Sequence, residues 1–131
     1  MILFVDASAL VAVLAPESDH EAFEAQLGQA SRLLLSPVVA WESLVTLRRG
    51  HAVSELVARA RLDSFLQTFG FEMVSIGERE SRIALDAYSR YGKGQHPARL
   101  NMGDCFAYAC VKTNNARLLY KGNDFAQTDL A

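Results

Sequence analysis

Short, largely apolar runs alternate with longer segments of helical periodicity along the whole chain. Four runs have the length of β-strands: Ile2 to Val5, Leu33 to Leu35, Met73 to Ile76 and Arg117 to Tyr120. Because these runs are continuous rather than alternating, they are typical of parallel strands that are covered on both faces. The pattern predicts an α/β fold, a three-layer α/β/α sandwich around a central, mostly parallel sheet.

Capping residues and helix breakers set the bounds of the predicted helices. Ser18 and Glu21 form a capping box, which predicts a helix start at Ser18. Ser36 followed by Pro37 predicts another start, because serine caps helices well and proline is favoured at the first helical position. Six helices are predicted in all, over residues 7–14, 18–30, 37–49, 54–69, 78–91 and 103–114.

The size and composition of the chain limit the classes of protein it can belong to. It has 131 residues, half of them hydrophobic, so we expect one domain spanning residues 1–131. Its formal net charge of -2 disfavours a basic nucleic-acid-binding module. No segment resembles a signal peptide, and no apolar stretch has the length of a membrane span. Cys105 and Cys110 face different sides of one predicted helix and cannot pair, so a reducing, cytoplasmic location is expected.

Four acidic residues occupy positions where a carboxylate is costly. Asp6 ends the first strand, Asp104 opens an apolar helix and Asp124 follows the last strand, while Glu42 shares a helix face with Val38. Ligands of open α/β sheets bind beyond the carboxyl ends of the strands, so Asp6 and Asp124 could share one rim. Carboxylates that converge from several directions would form a site for a hard divalent cation.

Each of these acids also has a purely structural explanation. Asp6 could cap the helix that begins near Ala7, and Asp124 could be a turn residue. Asp104 could be a first-turn acid that favours the helix dipole, and Glu42 could form a buried salt bridge. The residues by themselves leave both interpretations open.

Four blocks of the sequence resemble one known family. They are VDASAL at residues 5–10, PVVAWE at 37–42, LNMGDCFAYA at 100–109 and LLYKGNDF at 118–125. In order and spacing they resemble PIN-domain ribonucleases, and among these the VapC toxins of bacterial toxin–antitoxin pairs. The third and fourth blocks are the most specific, and the resemblance extends over nearly the whole chain.

The resemblance implies a PIN-like nuclease domain that hydrolyses RNA with Mg²⁺ or Mn²⁺ as its cofactor. The family's catalytic, metal-binding cluster falls on four acids, Asp6, Glu42, Asp104 and Asp124. Supporting roles are implied for Ser8, Asn101 and Asn123. The metal would activate water for attack on the phosphodiester and stabilise the developing charge.

The resemblance also implies partners and leaves the substrate open. It implies an RNA substrate, a cognate antitoxin that occludes the site and a second copy in a homodimer. No membrane partner is expected, because no apolar stretch of the sequence is long enough to span one. The loop from Gly92 to Ala98 is of a kind that varies between members, so it does not identify the RNA. Basic residues that could contact phosphates, or that could simply be solvated, are Arg48, Arg49, Lys93, Arg99, Lys112 and Lys121.

Two other functions can be weighed from the sequence. A non-catalytic PIN-type module would bind RNA or protein, but such modules usually lose one or more acids, and this chain keeps all four. A phosphatase or phosphotransferase of the haloacid-dehalogenase type needs a second aspartate two residues after the first, where this chain has Ser8. The three histidines, His20, His51 and His96, are predicted to be surface residues without a catalytic role.

Overall fold

The protein, described over residues 1–131 by a computed structural model, contains four strands and six helices. In chain order they are β1 (Ile2–Val5), α1 (Ala7–Leu14), α2 (His20–Gln29), β2 (Arg32–Leu35), α3 (Pro37–Gly50), α4 (Glu55–Phe69), β3 (Glu72–Met73), α5 (Glu78–Tyr91), α6 (Met102–Thr113) and β4 (Arg117–Leu119). This order confirms the predicted α/β class.

The four strands form one sheet in the order β3-β2-β1-β4, and every neighbouring pair is parallel. Phe4 of β1 lies between Leu34 of β2 and Leu118 of β4. The chain moves outward from β1 to β2 to β3 and then crosses back to place β4 on the other side of β1. The gap between β1 and β4 is therefore the point at which the strand order reverses, which is where open α/β sheets bind ligands.

The handedness of the crossovers explains the two helical layers. Parallel crossovers are almost always right-handed. The crossovers from β1 to β2 and from β2 to β3 move across the sheet in one direction, and the crossover from β3 to β4 moves in the opposite direction. The helices α1 to α4 therefore cover one face of the sheet, and α5 and α6 cover the other face. Most contacts agree with this division, since α1 packs on α2, α3 and α4, while α5 packs on α6 and α6 packs on β1. Between the two layers, α3 and α6 also meet, where Glu42 lies against Gly103. The predicted three-layer sandwich is confirmed.

The central strands and α6 carry most of the core. Phe4, Leu34 and Leu35 are fully buried on the sheet. The predicted burial of α6 is also confirmed, because eight of its residues are buried, from Gly103 to Val111. Both cysteines lie in this helix, buried and unpaired, as predicted. None of the six helices has the length and hydropathy that a bilayer crossing requires.

The predicted start of α2 is wrong. The helix begins at His20 with Asp19 at the N-cap, and no side chain caps it, so the Ser18–Glu21 capping box does not form. Ser18 instead lies in a turn that is closed by the His20 N–H, which donates to the carbonyl of Glu17. The carboxylate of Asp19 is engaged elsewhere, because it accepts a hydrogen bond from the ammonium group of Lys121.

The predicted third strand is also wrong in its extent. β3 comprises Glu72 and Met73, both exposed, and the chain leaves the sheet after the Val74 N–H donates to the carbonyl of Leu35. An edge strand has a partner on one side only, so few backbone bonds hold it in place. The pairing is reinforced by the guanidinium of Arg32, which forms two hydrogen bonds with the Glu72 carboxylate, at 2.8 and 2.9 Å.

Two buried serines on α3 differ in whether their hydroxyl groups have partners. Ser36 is the N-cap, and its Oγ accepts a hydrogen bond from the Val39 N–H. Ser43 lies on the core face with Val39 and Leu47, is 0% exposed, and its Oγ has no hydrogen-bond partner. A buried polar group without a partner opposes folding, because it has lost its hydrogen bonds to water.

We therefore predict opposite effects from removing these two hydroxyl groups. Ser43→Ala should raise the free energy of unfolding by about 1 kcal/mol, because it removes an unpaired buried polar group. Ser36→Ala should lower it by about 1 kcal/mol, because it removes a helix cap. Urea denaturation followed by circular dichroism measures both changes, and a loss of stability in both variants would contradict the unpaired state of Ser43.

Candidate functional site

A pocket opens at the carboxyl edge of the sheet, beside the point where the strand order reverses. Its volume is about 410 Å³. Eleven residues line it: Asp6, Ala7, Ser8, Val11, Glu17, Glu42, Thr46, Asn101, Asp104, Lys121 and Asp124. All four acids that the sequence singles out are among them, although they come from distant parts of the chain.

Asp6 occupies the centre of this edge because β1 is an inner strand. Its backbone N–H continues the sheet by donating to the carbonyl of Leu119, at 2.9 Å. Its carboxylate caps α1 by accepting from the Ser8 N–H at 3.1 Å and from the Ser8 hydroxyl at 2.6 Å. The structural and the functional explanation of Asp6 are therefore compatible, since the residue caps a helix and lines the pocket.

Ser8 connects Asp6 to the segment that follows β4. While its hydroxyl donates to Asp6, its Oγ accepts from the backbone N–H of Lys121 at 2.9 Å. The Lys121 N–H occupies one side of the Ser8 oxygen, so the hydroxyl proton points to the Asp6 carboxylate. Ser8 therefore orients the Asp6 carboxylate.

Glu42 reaches the pocket from α3, the helix that follows β2. The core face of α3 is formed by Val39, Ser43 and Leu47, so Glu42 lies on the flank of that face and is half-buried. It forms none of the protein's ion pairs, so the alternative of a buried salt bridge does not hold.

The carboxylate of Glu42 lies against Gly103, in the first turn of α6. A methyl group at Gly103 would overlap all three atoms of that carboxylate. A glycine is thus needed here for close approach rather than for an unusual backbone conformation, because its φ is not in the left-handed region.

Asp104 is held by a reciprocal pair of hydrogen bonds at the start of α6. The Asn101 side chain accepts from the Asp104 N–H at 2.9 Å, and the Asp104 carboxylate accepts from the Asn101 N–H at 3.1 Å. This capping box satisfies two backbone donors that a helix start leaves free. Asn101 therefore orients an acid of the pocket, and Asp104 has a structural role at the start of α6.

Asp124 completes the set from the segment after β4. It is exposed, and its side chain is close enough to Asp104 to share a hydrogen bond when one of the two is protonated. Asn123 does not line the pocket and forms no side-chain hydrogen bond; its backbone carbonyl accepts from the Ala126 N–H. The structure therefore places Asn123 in a turn beside Asp124, outside the pocket.

Burial and mutual repulsion raise the pKa values of three of the acids. Burial raises the pKa of Asp6, repulsion from Asp124 adds to the shift, and the hydrogen bonds from Ser8 oppose it. Burial, followed by the charge of Asp6, raises the pKa of Glu42 to about 7. Burial also raises the pKa of Asp104 to about 7; the hydrogen bond from the Asn101 N–H opposes this shift, and repulsion from Asp6 and Asp124 adds to it. Positive charge in the pocket would relieve this repulsion.

The donor set matches a hard divalent cation by chemical type. All four acids supply oxygen, the ligand that Mg²⁺ and Mn²⁺ prefer, and neither histidine nor cysteine lines the pocket. In the present side-chain positions no group of three or more such residues could hold a metal ion. The arrangement is a shared pocket in which Asp6 and Asp104 are fixed by hydrogen bonds, whereas the Glu42 carboxylate has no hydrogen bond and lies against Gly103.

The pocket also contains residues that the sequence analysis did not select as site residues. Glu17 lies in the turn between α1 and α2 and adds a fifth acid, and Thr46 lies one turn after Glu42 on α3. The helical spacing of Thr46 and Glu42 was a signal that could have identified Thr46. Glu17 lies in an irregular turn, where no periodicity indicates the direction of a side chain.

Of the six basic residues considered as phosphate contacts, Lys121 alone lines the pocket. Its ammonium group pairs with Glu17 at 2.8 Å and with Asp19 at 3.1 Å. Arg48 pairs with Glu55, and Lys112 pairs with Asp129.

None of the three histidines lines the pocket. His51 is exposed and His20 and His96 are partly exposed, so all three lie at the surface, as predicted. His96 accepts a hydrogen bond from the Ala98 N–H and packs edge-on against Tyr91, which together hold the loop after α5 in place.

Comparison with known proteins identifies relatives over nearly the full length of the chain. The sequence profile of the PIN domain matches residues 3–130. A VapC ribonuclease of Rhizobium meliloti (strain 1021) is 44% identical over 139 residues, which cover 97% of this chain and 98% of that protein.

Solved structures share the fold at lower sequence identity. VapC20 of Mycobacterium tuberculosis, a Sarcin-Ricin loop cleaving toxin, superposes with a TM-score of 0.75 at 18% identity and covers 98% of both chains. A chain of a toxin–antitoxin complex from Klebsiella pneumoniae superposes with a TM-score of 0.71 at 18% identity, covering 98% of this chain and 93% of that one. Both confirm the architecture of sheet and helices.

The close contact between Gly103 and the Glu42 carboxylate should be necessary for metal binding. Gly103→Ala should displace the Glu42 carboxylate and lower the affinity for Mn²⁺ about ten-fold, the effect of disturbing the surroundings of a metal ligand. The fold should be retained, because alanine is favoured over glycine in a helix. Isothermal titration calorimetry measures the affinity, and thermal denaturation monitors the fold.

Gly28→Ala is the matched control for this variant. Gly28 lies in α2, and a methyl group there would meet no atom within 4 Å. It should therefore leave Mn²⁺ binding unchanged. Equal Mn²⁺ affinities in Gly103→Ala and in the wild type would show that Glu42 does not need its position against α6.

Proposed function

This chain belongs to the PIN-domain family, with VapC ribonucleases among its relatives, and we propose that it is a metal-dependent endoribonuclease that serves as the toxin of a toxin–antitoxin pair. The proposal assigns Mg²⁺ or Mn²⁺ as the cofactor and RNA as the substrate. It also treats residues 1–131 as one nuclease domain that acts in the cytoplasm, where the two unpaired cysteines would remain reduced.

One observation carries the proposal: four acids line one pocket without a cationic partner among them. The single cationic side chain of the pocket, Lys121, is paired with Glu17 and Asp19 rather than with any of the four. Carboxylates alone would repel a phosphodiester. An acidic pocket therefore suits a phosphate substrate only if a cation enters between them.

The residues of the chain have distinct roles in the proposed mechanism. Asp6, Glu42, Asp104 and Asp124 would hold the cation. When bound, the cation supplies positive charge that screens the phosphate and makes water a stronger nucleophile near neutral pH.

Two of these acids are oriented before anything binds. The Ser8 hydroxyl holds Asp6 at 2.6 Å, and Asn101 holds Asp104 through the capping box. Orientation of this kind lowers the cost of ordering the site when the substrate arrives. The buried Asp6 and Asp104 would form the rigid base of the site, while the exposed Asp124 lies at its solvent side.

An antitoxin is the proposed protein partner. A structural neighbour comes from a toxin–antitoxin complex, and the present chain covers nearly all of that neighbour. Because the acid pocket is open to solvent, a partner that covers it would block access of RNA. Such a partner could approach with basic side chains, since the pocket is rich in carboxylates.

A second copy of the chain is the other proposed partner, at the face formed by α5 and the start of α6. An apolar groove of about 220 Å³ lies there, lined by Ser81, Ala84, Leu85, Tyr88, Met102, Cys105 and Phe106. Leu85 and Met102 are 65% and 63% exposed. Exposed apolar side chains around a groove are typical of an interaction surface. Because Met102 is two residues from Asp104, a dimer formed here would bring the two pockets near a shared surface.

The central prediction concerns the acids of the pocket. Asp104→Asn should abolish RNA cleavage, with at least about a 100-fold loss of kcat, because a ligand and its charge are removed. The fold should remain intact, since asparagine can still accept the hydrogen bond from the Asn101 N–H. Cleavage of RNA in Mg²⁺ or Mn²⁺, and in EDTA, measures the activity, and circular dichroism reports the fold.

Asp63→Asn provides the matched control, because Asp63 is an exposed aspartate of α4 that does not line the pocket. It should cleave RNA as the wild type does. Cleavage that persists in folded Asp104→Asn would remove Asp104 from the proposed site. Saturable Mn²⁺ binding without cleavage of any RNA would favour a binding module.

The proposed dimer is tested by charging its apolar face. Leu85→Glu should convert dimers to monomers, because the new carboxylate would be desolvated at the interface. Analytical ultracentrifugation measures the distribution of species. Leu56→Glu is the control, since Leu56 is 79% exposed on α4, and it should not change that distribution. A monomeric wild-type protein, or a dimer that survives Leu85→Glu, would contradict this assignment.

A further inference from the structure

Lys121 is the one cationic side chain in a pocket that contains five acids. Those acids are Asp6, Glu17, Glu42, Asp104 and Asp124. A nucleic-acid strand that reaches the pocket therefore meets one positive side chain there, and all other basic residues lie outside it. Residues that contact phosphates hold the strand in position and contribute to affinity without reading the bases.

The backbone of Lys121 is fixed to the floor of the pocket. Its N–H donates to the Ser8 Oγ at 2.9 Å, and the Ser8 hydroxyl donates to Asp6 at 2.6 Å. Only the Ser8 side chain therefore lies between the backbone of Lys121 and the carboxylate of Asp6, the most buried acid of the pocket. A lysine side chain is long and flexible, so its ammonium group can reach different partners from this fixed base.

The ammonium group is held by partners that release it at little cost. It contacts Glu17 at 2.8 Å and Asp19 at 3.1 Å, and all three side chains are between 27% and 39% exposed. Ion pairs at such solvent-accessible positions contribute little to stability, because water competes for both charges. A phosphate, which accepts strong charge-assisted hydrogen bonds, can replace these carboxylates.

Glu17 would keep a partner after Lys121 has moved. Its second carboxylate oxygen lies 3.5 Å from Nε2 of His51, while the first contacts Lys121. Departure of the lysine would therefore leave Glu17 in contact with the His51 ring, and it would leave the Asp19 carboxylate to water, since 39% of that side chain is exposed. The His51 contact connects the turn between α1 and α2 to the end of α3.

We propose that Lys121 is a phosphate-binding residue of the site, held by Glu17 and Asp19 in the free protein and transferred to a phosphate of the RNA strand when the substrate binds. The proposal rests on the proposed ribonuclease function. The competing explanation is that the contacts with Glu17 and Asp19 simply fasten the segment after β4 to the turn before α2.

The two explanations predict opposite effects from variants on the two sides of the ion pair. Lys121→Met keeps the apolar stem and removes the charge. If Lys121 contacts phosphate, this variant should raise KM for RNA about ten-fold, as expected for a lost hydrogen bond to a charged group. Its Mn²⁺ affinity and its melting temperature should stay close to those of the wild type.

Removing the two carboxylate charges should have the reverse effect on KM. In the double variant Glu17→Gln/Asp19→Asn, Lys121 is no longer held, so KM should fall. Because the loss of two negative charges could by itself favour RNA, the same two substitutions are also made in the Lys121→Met background. There they should change KM little, since their effect acts through the lysine.

The salt dependence of KM provides a second readout. One phosphate contact fewer on a single strand should reduce the slope of log KM against log salt concentration by about 0.7 in Lys121→Met. Arg32→Met is the matched control, because Arg32 is an ion-paired cation at the amino end of β2, on the opposite edge of the sheet. It should change neither KM nor the slope.

The experiment is steady-state cleavage of a fluorescently labelled single-stranded RNA that the wild-type protein cuts, with Mn²⁺ titration and thermal denaturation of each variant. The proposal is overturned if Lys121→Met leaves KM and the salt slope unchanged while the wild type cleaves RNA. It is also overturned if Lys121→Met and Glu17→Gln/Asp19→Asn both lower the melting temperature and the Mn²⁺ affinity. The same holds if the two carboxylate substitutions change KM equally in the wild-type and in the Lys121→Met background. Failure of the wild type to cleave any RNA would instead contradict the proposed function on which the inference rests.

Discussion

The backbone hydrogen bonds that hold β1 between β2 and β4 determine where the acids of the pocket lie. Parallel pairing aligns the carboxyl ends of the three strands, and each end leads directly to an acid or to the helix that carries one. The Asp6 N–H extends this pairing to the carbonyl of Leu119, so Asp6 and the segment leading to Asp124 start from adjoining points. A change in the register of β4 by one residue would turn its side chains to the opposite face and separate the two acids.

A consequence of this geometry is that carboxylates are gathered where water is scarce. Asp6 and Asp104 are 6% and 7% exposed, and burial is the largest cause of their raised pKa values. The chain limits the cost by giving each of them hydrogen bonds, from Ser8 and from Asn101. A ligand that binds the folded state alone would stabilise it further, so the proposed cation would act on stability as well as on chemistry.

Much of the architecture could be predicted from the sequence, because the signals were local and mutually consistent. Apolar runs such as Ile2 to Val5 identify buried strands, and Ser36-Pro37 marks the start of α3 in the structure as in the sequence. The two clear errors occurred where tertiary structure, rather than local preference, decides the outcome. Asp19 replaces Ser18 at the start of α2, and its carboxylate is paired with Lys121, which is distant in sequence. β3 is short because it lies at an edge and has one neighbour.

In the site, too, the features that depend on neighbouring residues could be predicted, whereas those that depend on tertiary contacts could not. The positions of Asp6 and Asp104 follow from the ends of their own strand and helix. Asp6 also caps α1, which the sequence offered as an alternative explanation, and Asp104 lies in the first turn of α6, where its carboxylate takes part in the capping box. Glu17 was not predicted, because the direction of a side chain in an irregular turn depends on what lies opposite. The close contact of Glu42 with Gly103 was equally inaccessible, since it depends on how α3 approaches α6.

The Ser8 hydroxyl connects two distant parts of the pocket through one oxygen atom. It donates a hydrogen bond to the Asp6 carboxylate and accepts one from the Lys121 N–H, so it joins the end of β1 to the segment that follows β4. Loss of this single oxygen would remove both hydrogen bonds at once. The orientation of a buried acid and the attachment of a segment more than a hundred residues away are therefore coupled through one small side chain.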